Sequence, residues 1–217
     1  LMAEAKFLEK KLASLLAANG PKVDATTLSR LVEFIILMDK WNHVYNLTSV
    51  RNPEDMLLKH IVDSVVVSPY LEGQTFVDVG TGPGLPGIPL AIMNPDKTFY
   101  LVDSQSKRIN FVREVRRIIG LKNVVPVLSR CEEFKLPEEQ KADCVLSRAF
   151  ASLKDMLTLC SHMVDANGCY LALKGQITAE ELADIPTGFM VQENIDLKVP
   201  AALGQRCIVK ITKKEGH

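Results

Sequence analysis

The chain has 217 residues, with 26 lysines and arginines balanced by 26 aspartates and glutamates. This length suits one main α/β domain with a smaller appended part. Because the formal net charge is zero, the composition excludes a globally basic nucleic-acid binder, and any contact with RNA or DNA must come from a local patch.

Helical periodicity dominates residues 1–72, which we predict to be an N-terminal helical region. Apolar residues recur at helical spacing across 7–16, and again after an expected N-cap at Asp24. Asn52, which is followed by proline and two acidic residues, predicts the start of a third helix that runs toward Pro69.

Residues 73–217 alternate β-rich runs with helical segments, which predicts a mostly parallel sheet covered by helices on both faces. The end of this region differs, because residues 191–199 and 206–212 predict two strands with no helix between them. Such strands are antiparallel. This order is similar to the Rossmann-like class I S-adenosylmethionine-dependent methyltransferase fold. The parallel strands are predicted at 75–79, 98–102, 124–128, 143–147 and 169–174.

The glycine-rich segment that follows the first predicted strand indicates a nucleoside site. Gly82-Pro-Gly84-Leu-Pro-Gly87 matches the dinucleotide pattern G-x-G-x-x-G. A diphosphate needs free backbone N–H groups, however, and the prolines of this loop remove several of them. The loop therefore favours a ligand without a diphosphate, such as S-adenosylmethionine, with Gly80, Gly82 and Gly84 close to the ligand.

Two acidic residues at strand ends support this interpretation. Asp78 lies two residues before Gly80, where a carboxylate favours a cationic ligand. Asp103 ends the second predicted strand, where an acid can accept both ribose hydroxyls of a bound nucleoside. Asp103 would serve NAD and S-adenosylmethionine equally well, so it supports a nucleoside without choosing between the two.

The ends of the third and fourth predicted strands supply further candidates. Cys131 and Glu132 would flank the adenine, although Glu132 is equally consistent with a helix cap. Arg148 is a charged residue where the fourth strand should open into the site, and it is the candidate for orienting substrate or cofactor. A plain surface arginine is the alternative.

The residues after the fourth strand also restrict the chemistry. Neither a Pro-Pro-Tyr-type segment nor a Pro-Cys pair follows that strand, which disfavours methylation of exocyclic amines and a covalent cysteine route. Guanine N7 is an acceptor that is already nucleophilic. In-line displacement would then need proximity and alignment and no dedicated catalytic residue.

The cysteine and histidine positions indicate neither a disulfide framework nor a metal site. The cysteines are odd in number, scattered, and without a Cys-x-x-Cys pair. No signal peptide and no apolar run of membrane-spanning length is found. We therefore expect a cytoplasmic, monomeric protein that does not contact a membrane.

Several longer motifs resemble the ribosomal RNA small-subunit methyltransferase G family, also called glucose-inhibited division protein B. The resemblance implies methyl transfer from S-adenosylmethionine to N7 of guanine-527 in 16S ribosomal RNA, with either the 16S RNA itself or the small ribosomal subunit as partner. It implies cofactor binding by Gly80, Leu85, Cys131, Glu132 and Arg148. The motifs are Trp41-Asn-x-x-Tyr45-Asn-Leu-Thr48, His60-x-x-Asp63-Ser64, the loop 77–89, Leu146-Ser-Arg-Ala-Phe150 and Leu173-Lys-Gly175.

Three alternatives remain open at this point. One is a binding module for S-adenosylmethionine without catalysis, which would bind the cofactor and methylate no RNA. A methyltransferase of the same fold could act on another RNA or on a small molecule. A dinucleotide-dependent oxidoreductase would use Gly82, Gly84 and Gly87, and it would bind NAD in preference to S-adenosylmethionine.

Overall fold

A computed structural model describes residues 2–215. Seven strands form one sheet in the order β3-β2-β1-β4-β5-β7-β6, in which β1 to β5 are parallel and β7 runs antiparallel to both of its neighbours. The predicted class of a mostly parallel sheet with a terminal antiparallel hairpin is confirmed. The strands are β1 Thr75–Val79, β2 Thr98–Asp103, β3 Val124–Leu128, β4 Ala142–Ser147, β5 Val164–Lys174, β6 Phe189–Asp196 and β7 Cys207–Lys213.

The N-terminal part is helical, as predicted. Helix α1 spans Met2–Asn19, and α2 spans Ala25–Tyr45 with Asp24 as its N-cap. The third predicted helix is interrupted: α3 (Pro53–Met56) leads into a π-helical segment (Leu57–Val62), then α4 (Asp63–Val65) and a 3-10 turn (Ser68–Tyr70). Apolar spacing does not separate α from π geometry over so few residues, so the sequence did not show this interruption.

Helices and turns connect the strands along the rest of the described chain. The longest, α6, buries apolar residues at helical spacing, including Phe111 and Val115, and ends at Gly120 in the left-handed conformation. The helices are α5 Gly87–Met93, α6 Ser106–Ile119, α7 Leu153–Cys160 and α8 Ala179–Ala183, with 3-10 turns at Pro137–Glu139, Ser161–Met163 and Ala201–Leu203.

The core lies on both faces of the sheet, because successive residues of a strand point to opposite sides. On one face, Phe76 and Leu146 pack with α1, α2, the π-helical segment, α5 and α6. On the other face, Val77 and Val145 pack with α7. The N-terminal helices therefore share one continuous apolar core with the sheet, and this core fixes their position beside the carboxyl ends of the strands. Within residues 2–215 no helix is long and apolar enough to cross a membrane.

Candidate functional site

The backbone N–H groups of the glycine loop between β1 and α5, from Thr81 to Ile88, all donate to other groups of the protein, either within the loop or on β1 and β2. Thr81 donates its N–H to the carbonyl of Val102 (3.0 Å), and Gly82 donates to Oδ2 of Asp103 (2.9 Å). The remaining N–H groups are bonded as well: those of Gly84 and Leu85 to Thr81 O, that of Gly87 to Asp78 Oδ2 and that of Ile88 to Gly84 O. Because Pro83 and Pro86 carry no N–H, no backbone donor from Thr81 to Ile88 is left for a diphosphate.

The glycines of this loop have different physical roles. A Cβ at Gly80 would lie 2.3 Å from the Cβ of Ala149, one at Gly84 would collide with Ile88, and one at Gly87 would collide with Leu101. These glycines allow close packing. A Cβ at Gly82 would have only Arg108 Nη1 within 4 Å, at 3.9 Å. Gly82 therefore has open space beside its Cα, next to Arg108 of α6, although Gly82 itself does not line the cleft described below.

Asp78 is fully buried beneath the loop. Its Oδ2 accepts hydrogen bonds from Thr81 Oγ1 (2.7 Å) and from Gly87 N (2.9 Å), whereas its Oδ1 has no partner among the described residues. Burial raises the pKa of Asp78 to about 8, although both hydrogen bonds oppose this shift. Asp78 thus holds the shape of the loop, and it keeps one oxygen that a cationic group can satisfy.

Asp103 connects the loop to the end of β2. Its Oδ2 accepts the Gly82 N–H, and its Oδ1 accepts the N–H of Gln105 at 2.9 Å. Arg108 Nη1 lies 3.7 Å from Oδ2. A carboxylate has about four lone-pair sites, so Asp103 retains acceptor capacity for two ribose hydroxyls.

A cleft of about 450 Å³ opens beside Asp103, within the range of small-molecule sites. The structure brings Gly80, Asp103, Cys131 and Glu132 together around it. Other lining residues come from the loops after β2, β3 and β4. We call this space the nucleoside cleft, and it is also lined by Val102, Ser104, Gln105, Arg108, Ser129, Arg130, Ala149 and Phe150.

Cys131 and Glu132 lie in a turn after β3, and no helix in the described part of the chain begins there. The structure therefore does not support the alternative that Glu132 is a helix cap. The Cys131 thiol lies 3.4 Å from Oε2 of Glu132, and hydrogen bonds from the backbone and from this thiol lower the pKa of Glu132. Glu132 thus presents a charged acceptor at the edge of the cleft.

Leu85 and Gly84 lie away from the cleft lining. Leu85 is half-buried against the core on the α1–α2 face of the sheet. Gly84 packs on Ile88 at a φ of +99°, a conformation that favours glycine. Neither residue lines the cleft together with Cys131 and Glu132. Their contribution is therefore to hold the conformation of the loop.

Arg148 follows β4 as predicted, but its guanidinium points away from the nucleoside cleft. Its Nη1 donates to Oδ2 of Asp63 at 2.8 Å, and its Nη2 donates to the backbone carbonyl of Asp63. Burial lowers the pKa of Arg148, and the carboxylate of Asp63 opposes this effect. The other oxygen of Asp63 accepts from Nε of Arg206 at 2.9 Å. One carboxylate thus joins two arginines that come from distant parts of the chain.

These residues line a second cavity, which we call the arginine pocket: Asp63, Arg148, Lys174, Gly175 and Arg206. Its volume is about 340 Å³, and it shares no lining residue with the nucleoside cleft. Because Arg148 is followed directly by Ala149 of the cleft lining, the two spaces are neighbours at the same edge of the sheet.

A polar network lies in the helical region, close in sequence to Asp63. His60, in the π-helical segment, lies 2.8 Å from Thr48 Oγ1, and the Thr48 N–H bonds to Oδ1 of Asn42. Asn42 also donates to the carbonyl of Val50. Burial lowers the pKa of His60 to about 4, so this imidazole is neutral at pH 7. The network joins the Trp41–Thr48 motif to the His60–Ser64 motif, which contains Asp63.

Sequence reasoning did not assign a role to Asp63, Arg108 or Arg206. Asp63 belongs to a motif that was noted, but its partners Arg148 and Arg206 lie 85 and 143 residues away in sequence. Arg206 lies at the start of a predicted strand, where nothing distinguishes it from a solvent-exposed residue. Among the described residues, no group of His, Cys, Asp and Glu is arranged to hold a metal ion.

Comparison with known proteins identifies the family. Residues 27–209 match the family model described as rRNA small subunit methyltransferase G. The chain is 53% identical over 208 residues to the ribosomal RNA small subunit methyltransferase G of Shewanella sp. (strain MR-4), covering 96% of this chain and 100% of the relative. It is 54% identical over 212 residues to the protein of the same name from Histophilus somni (strain 2336), covering 98% and 96%.

Solved methyltransferase structures share the fold. TrmN from Thermus thermophilus has a TM-score of 0.56 at 17% identity, covering 70% of this chain and 48% of that chain. TrmK from M. capricolum, in complex with S-adenosyl-homocysteine, has a TM-score of 0.55 at 18% identity, covering 68% and 66%. These similarities show that the chain shares the overall fold of these proteins. The family model and the relatives in sequence show that this chain belongs to the ribosomal RNA small subunit methyltransferase G family.

Proposed function

We propose that this protein transfers a methyl group from S-adenosylmethionine to N7 of guanine-527 in 16S ribosomal RNA, within the small ribosomal subunit. Membership of the methyltransferase G family supports the class of reaction and the RNA substrate. The observation that carries the choice of cofactor is the glycine loop. It bonds every N–H from Thr81 to Ile88 internally, and it leaves Gly82 open to a ligand.

The residues of the nucleoside cleft fit this cofactor. Asp103 has free acceptor sites for the ribose, and Cys131 with Glu132 lies where an adenine ring would reach. Asp78 does not line the cleft, but the unpartnered Oδ1 of this buried side chain lies beneath the glycine loop, where its carboxylate would attract the cationic part of the cofactor. Bound in this way, the cofactor supplies a methyl group on a positively charged sulfur.

The proposed chemistry requires alignment and no proton transfer. Guanine N7 attacks the methyl carbon with its in-plane lone pair while the carbon–sulfur bond breaks, and the positive charge passes to the guanine ring. No base has to remove a proton before the attack. The protein therefore contributes by orienting both partners and by excluding water. Arg148 lines the arginine pocket and not the nucleoside cleft, so we assign it to orienting the RNA substrate.

The dinucleotide-dependent oxidoreductase is the weaker alternative. It would need donors for a diphosphate at Gly82, Gly84 and Gly87, yet two of these N–H groups bond to buried carboxylates and the third bonds to a backbone carbonyl. Methylation of a different RNA remains the closer alternative, since the fold and the cofactor site would be the same.

Methyl transfer from labelled S-adenosylmethionine tests this proposal. Small ribosomal subunits that lack the modification are incubated with the protein, and 16S RNA is then cleaved chemically at N7-methylguanine. We expect one labelled site, at guanine-527. Label at another nucleotide would contradict the proposed specificity, and absence of label with intact cofactor binding would contradict the proposed substrate.

A further inference from the structure

The arginine pocket has more cationic side chains than carboxylates to pair with them. Arg148 and Arg206 share the single carboxylate of Asp63. Lys174 does not change this balance, because its Nζ pairs with Oε1 of Glu181 at 2.9 Å. Counted over the direct ion pairs of its lining residues, the pocket has one positive charge left over next to the nucleoside cleft, where it would stabilise an anion. The carboxylate of Asp196 lies in an adjoining cavity that Arg206 also lines.

The two guanidinium groups also have unused hydrogen-bond donors. An arginine has five N–H donors in a planar fork. Arg148 uses two atoms on Asp63, and Arg206 uses Nε on Asp63 and Nη1 on the carbonyl of Gln205. Asp63 thereby holds both forks in fixed orientations. Because each fork retains donors, the pair suits an anion with several oxygen acceptors.

Two glycines leave space beside Nη1 of Arg206. Apart from its charged residues and Gly175, the arginine-pocket lining is apolar: Val67, Leu173, Leu197 and Cys207. A Cβ at Gly175 would lie 3.9 Å from Nη1 of Arg206, and a Cβ at Gly204 would lie 4.0 Å from it, with only Gln205 O nearby in the first case. The side chain of Arg206 is 31% exposed. A group as large as a phosphate can therefore reach this guanidinium from solvent.

We propose that the arginine pocket binds a backbone phosphate of the RNA substrate close to the methylated nucleotide, with Arg206 as the main anion-binding residue and Asp63 as its positioning residue. This inference rests on the proposed function, because it names how that substrate is held. A phosphodiester matches the observations better than a base edge, since it has several oxygen acceptors and a full negative charge.

The variant Arg206→Ala tests the pocket. Binding to unmodified small subunits is measured at several KCl concentrations, and binding of S-adenosylmethionine is measured separately by calorimetry. We expect about tenfold weaker subunit binding, and a salt dependence that is shallower by about 0.7 to 0.9 in log–log slope, as for one lost phosphate contact. Affinity for S-adenosylmethionine should stay the same. Arg206→Lys should keep the slope and recover part of the affinity, because it restores the charge without the fork.

Arg117→Ala is the matched control. Arg117 also bonds to a carboxylate, that of Glu114, but it lies in the last turn of α6, at the opposite edge of the sheet. We expect the control to keep the wild-type salt slope. Thermal melting identifies a variant that does not fold, and Arg206→Gln then replaces Arg206→Ala because it keeps a side chain of similar reach.

Two results would overturn the proposal. Unchanged subunit affinity and slope in Arg206→Ala would show that no phosphate binds there. Loss of S-adenosylmethionine affinity with unchanged subunit binding would assign the pocket to the carboxylate of the cofactor instead. The proposed function is tested separately: if the wild-type protein binds subunits but methylates no guanine, that function fails, and the slope comparison still decides the role of the pocket.

Discussion

The glycine loop and the arginine pocket lie at the same edge of the sheet, but they differ in their hydrogen-bond donors. The loop has used all of its backbone donors from Thr81 to Ile88. The pocket has two guanidinium groups with donors to spare, held by Asp63. An anion is therefore stabilised in the pocket, whereas the loop suits a neutral nucleoside with a cationic extension. This difference separates the proposed places of cofactor and RNA.

The largest expected effect comes from filling the open side of the loop. Gly82→Val should abolish detectable binding of S-adenosylmethionine, because the added side chain would occupy the space beside Arg108 from which the ligand approaches. Calorimetry measures this loss. Subunit binding at the arginine pocket should persist in the same variant, so the two regions would be separated in one protein.

Gly120→Val controls for backbone strain in that experiment. Gly120 has a φ of +77°, close to the +59° of Gly82. A Cβ at Gly120 would meet no atom within 4 Å, and one at Gly82 would meet only Arg108 Nη1 at 3.9 Å. It lies at the end of α6, away from the cleft. Both variants should lose comparable stability in thermal melts. Equal loss of cofactor affinity in both would show that strain, and not a blocked approach, explains the result.

The next effect concerns the second arginine of the pocket. Arg148→Ala should weaken binding to unmodified small subunits by about tenfold, because it removes one of the two guanidinium groups of the arginine pocket, and it should leave binding of S-adenosylmethionine unchanged. Arg206→Ala removes the other partner of Asp63 and serves as the comparison. Calorimetry measures the affinity of both variants for S-adenosylmethionine. A loss of this affinity in Arg148→Ala alone would show that Arg148 contacts the cofactor. Unchanged cofactor affinity in Arg148→Ala would restrict this residue to the arginine pocket.

The smallest expected effect is the pH dependence due to Asp78. Its pKa of about 8 in the folded protein lies above the ordinary value of 3.8. Between these two pH values, the folded state therefore keeps a proton on Asp78 that the unfolded state has released. The contribution of this group to stability is present below pH 4 and is lost as the pH rises toward 8. A cationic ligand prefers the ionised carboxylate, so cofactor affinity should increase through neutral pH and level off above about pH 8.

Asp78→Asn isolates this effect. The variant should lose the affinity gain between pH 6 and 8, and its melting temperature relative to wild type should increase over the same range. The amine of the ligand titrates in this range as well, so the informative quantity is the difference between the two proteins. Parallel pH profiles in calorimetry would contradict a contact between Asp78 and the cationic part of the cofactor.

Much of the fold was predictable, because it depends on patterns within short segments. Strands β1 and β3 have the predicted bounds, and β2 and β4 differ from prediction by one residue. Strand β5 begins at Val164, earlier than predicted. The prediction was late because Asp165-Ala-Asn-Gly168 has the composition of a turn. The position of β7 between β5 and β6 depends on pairing between distant segments, which local patterns do not specify.

The site residues were predictable only where they lie at or directly after the carboxyl end of a parallel strand. Asp103, Cys131 and Glu132 meet at the cleft because the carboxyl ends of parallel strands share one edge. The contact of Asp63 with Arg148 and Arg206 could not be predicted, since it joins the helical region to β4 and β7 through tertiary packing alone. The internal bonding of the glycine loop was likewise visible only in the structure.

A crystal structure of the protein with S-adenosylhomocysteine tests the central claim most directly. We expect the adenosine in the nucleoside cleft, with its ribose hydroxyls on Asp103 and its adenine beside Cys131 and Glu132. The amino-acid part should pass over Gly82 and leave the arginine pocket free. Ligand density inside the arginine pocket, with the nucleoside cleft empty, would contradict the assignment of the two regions.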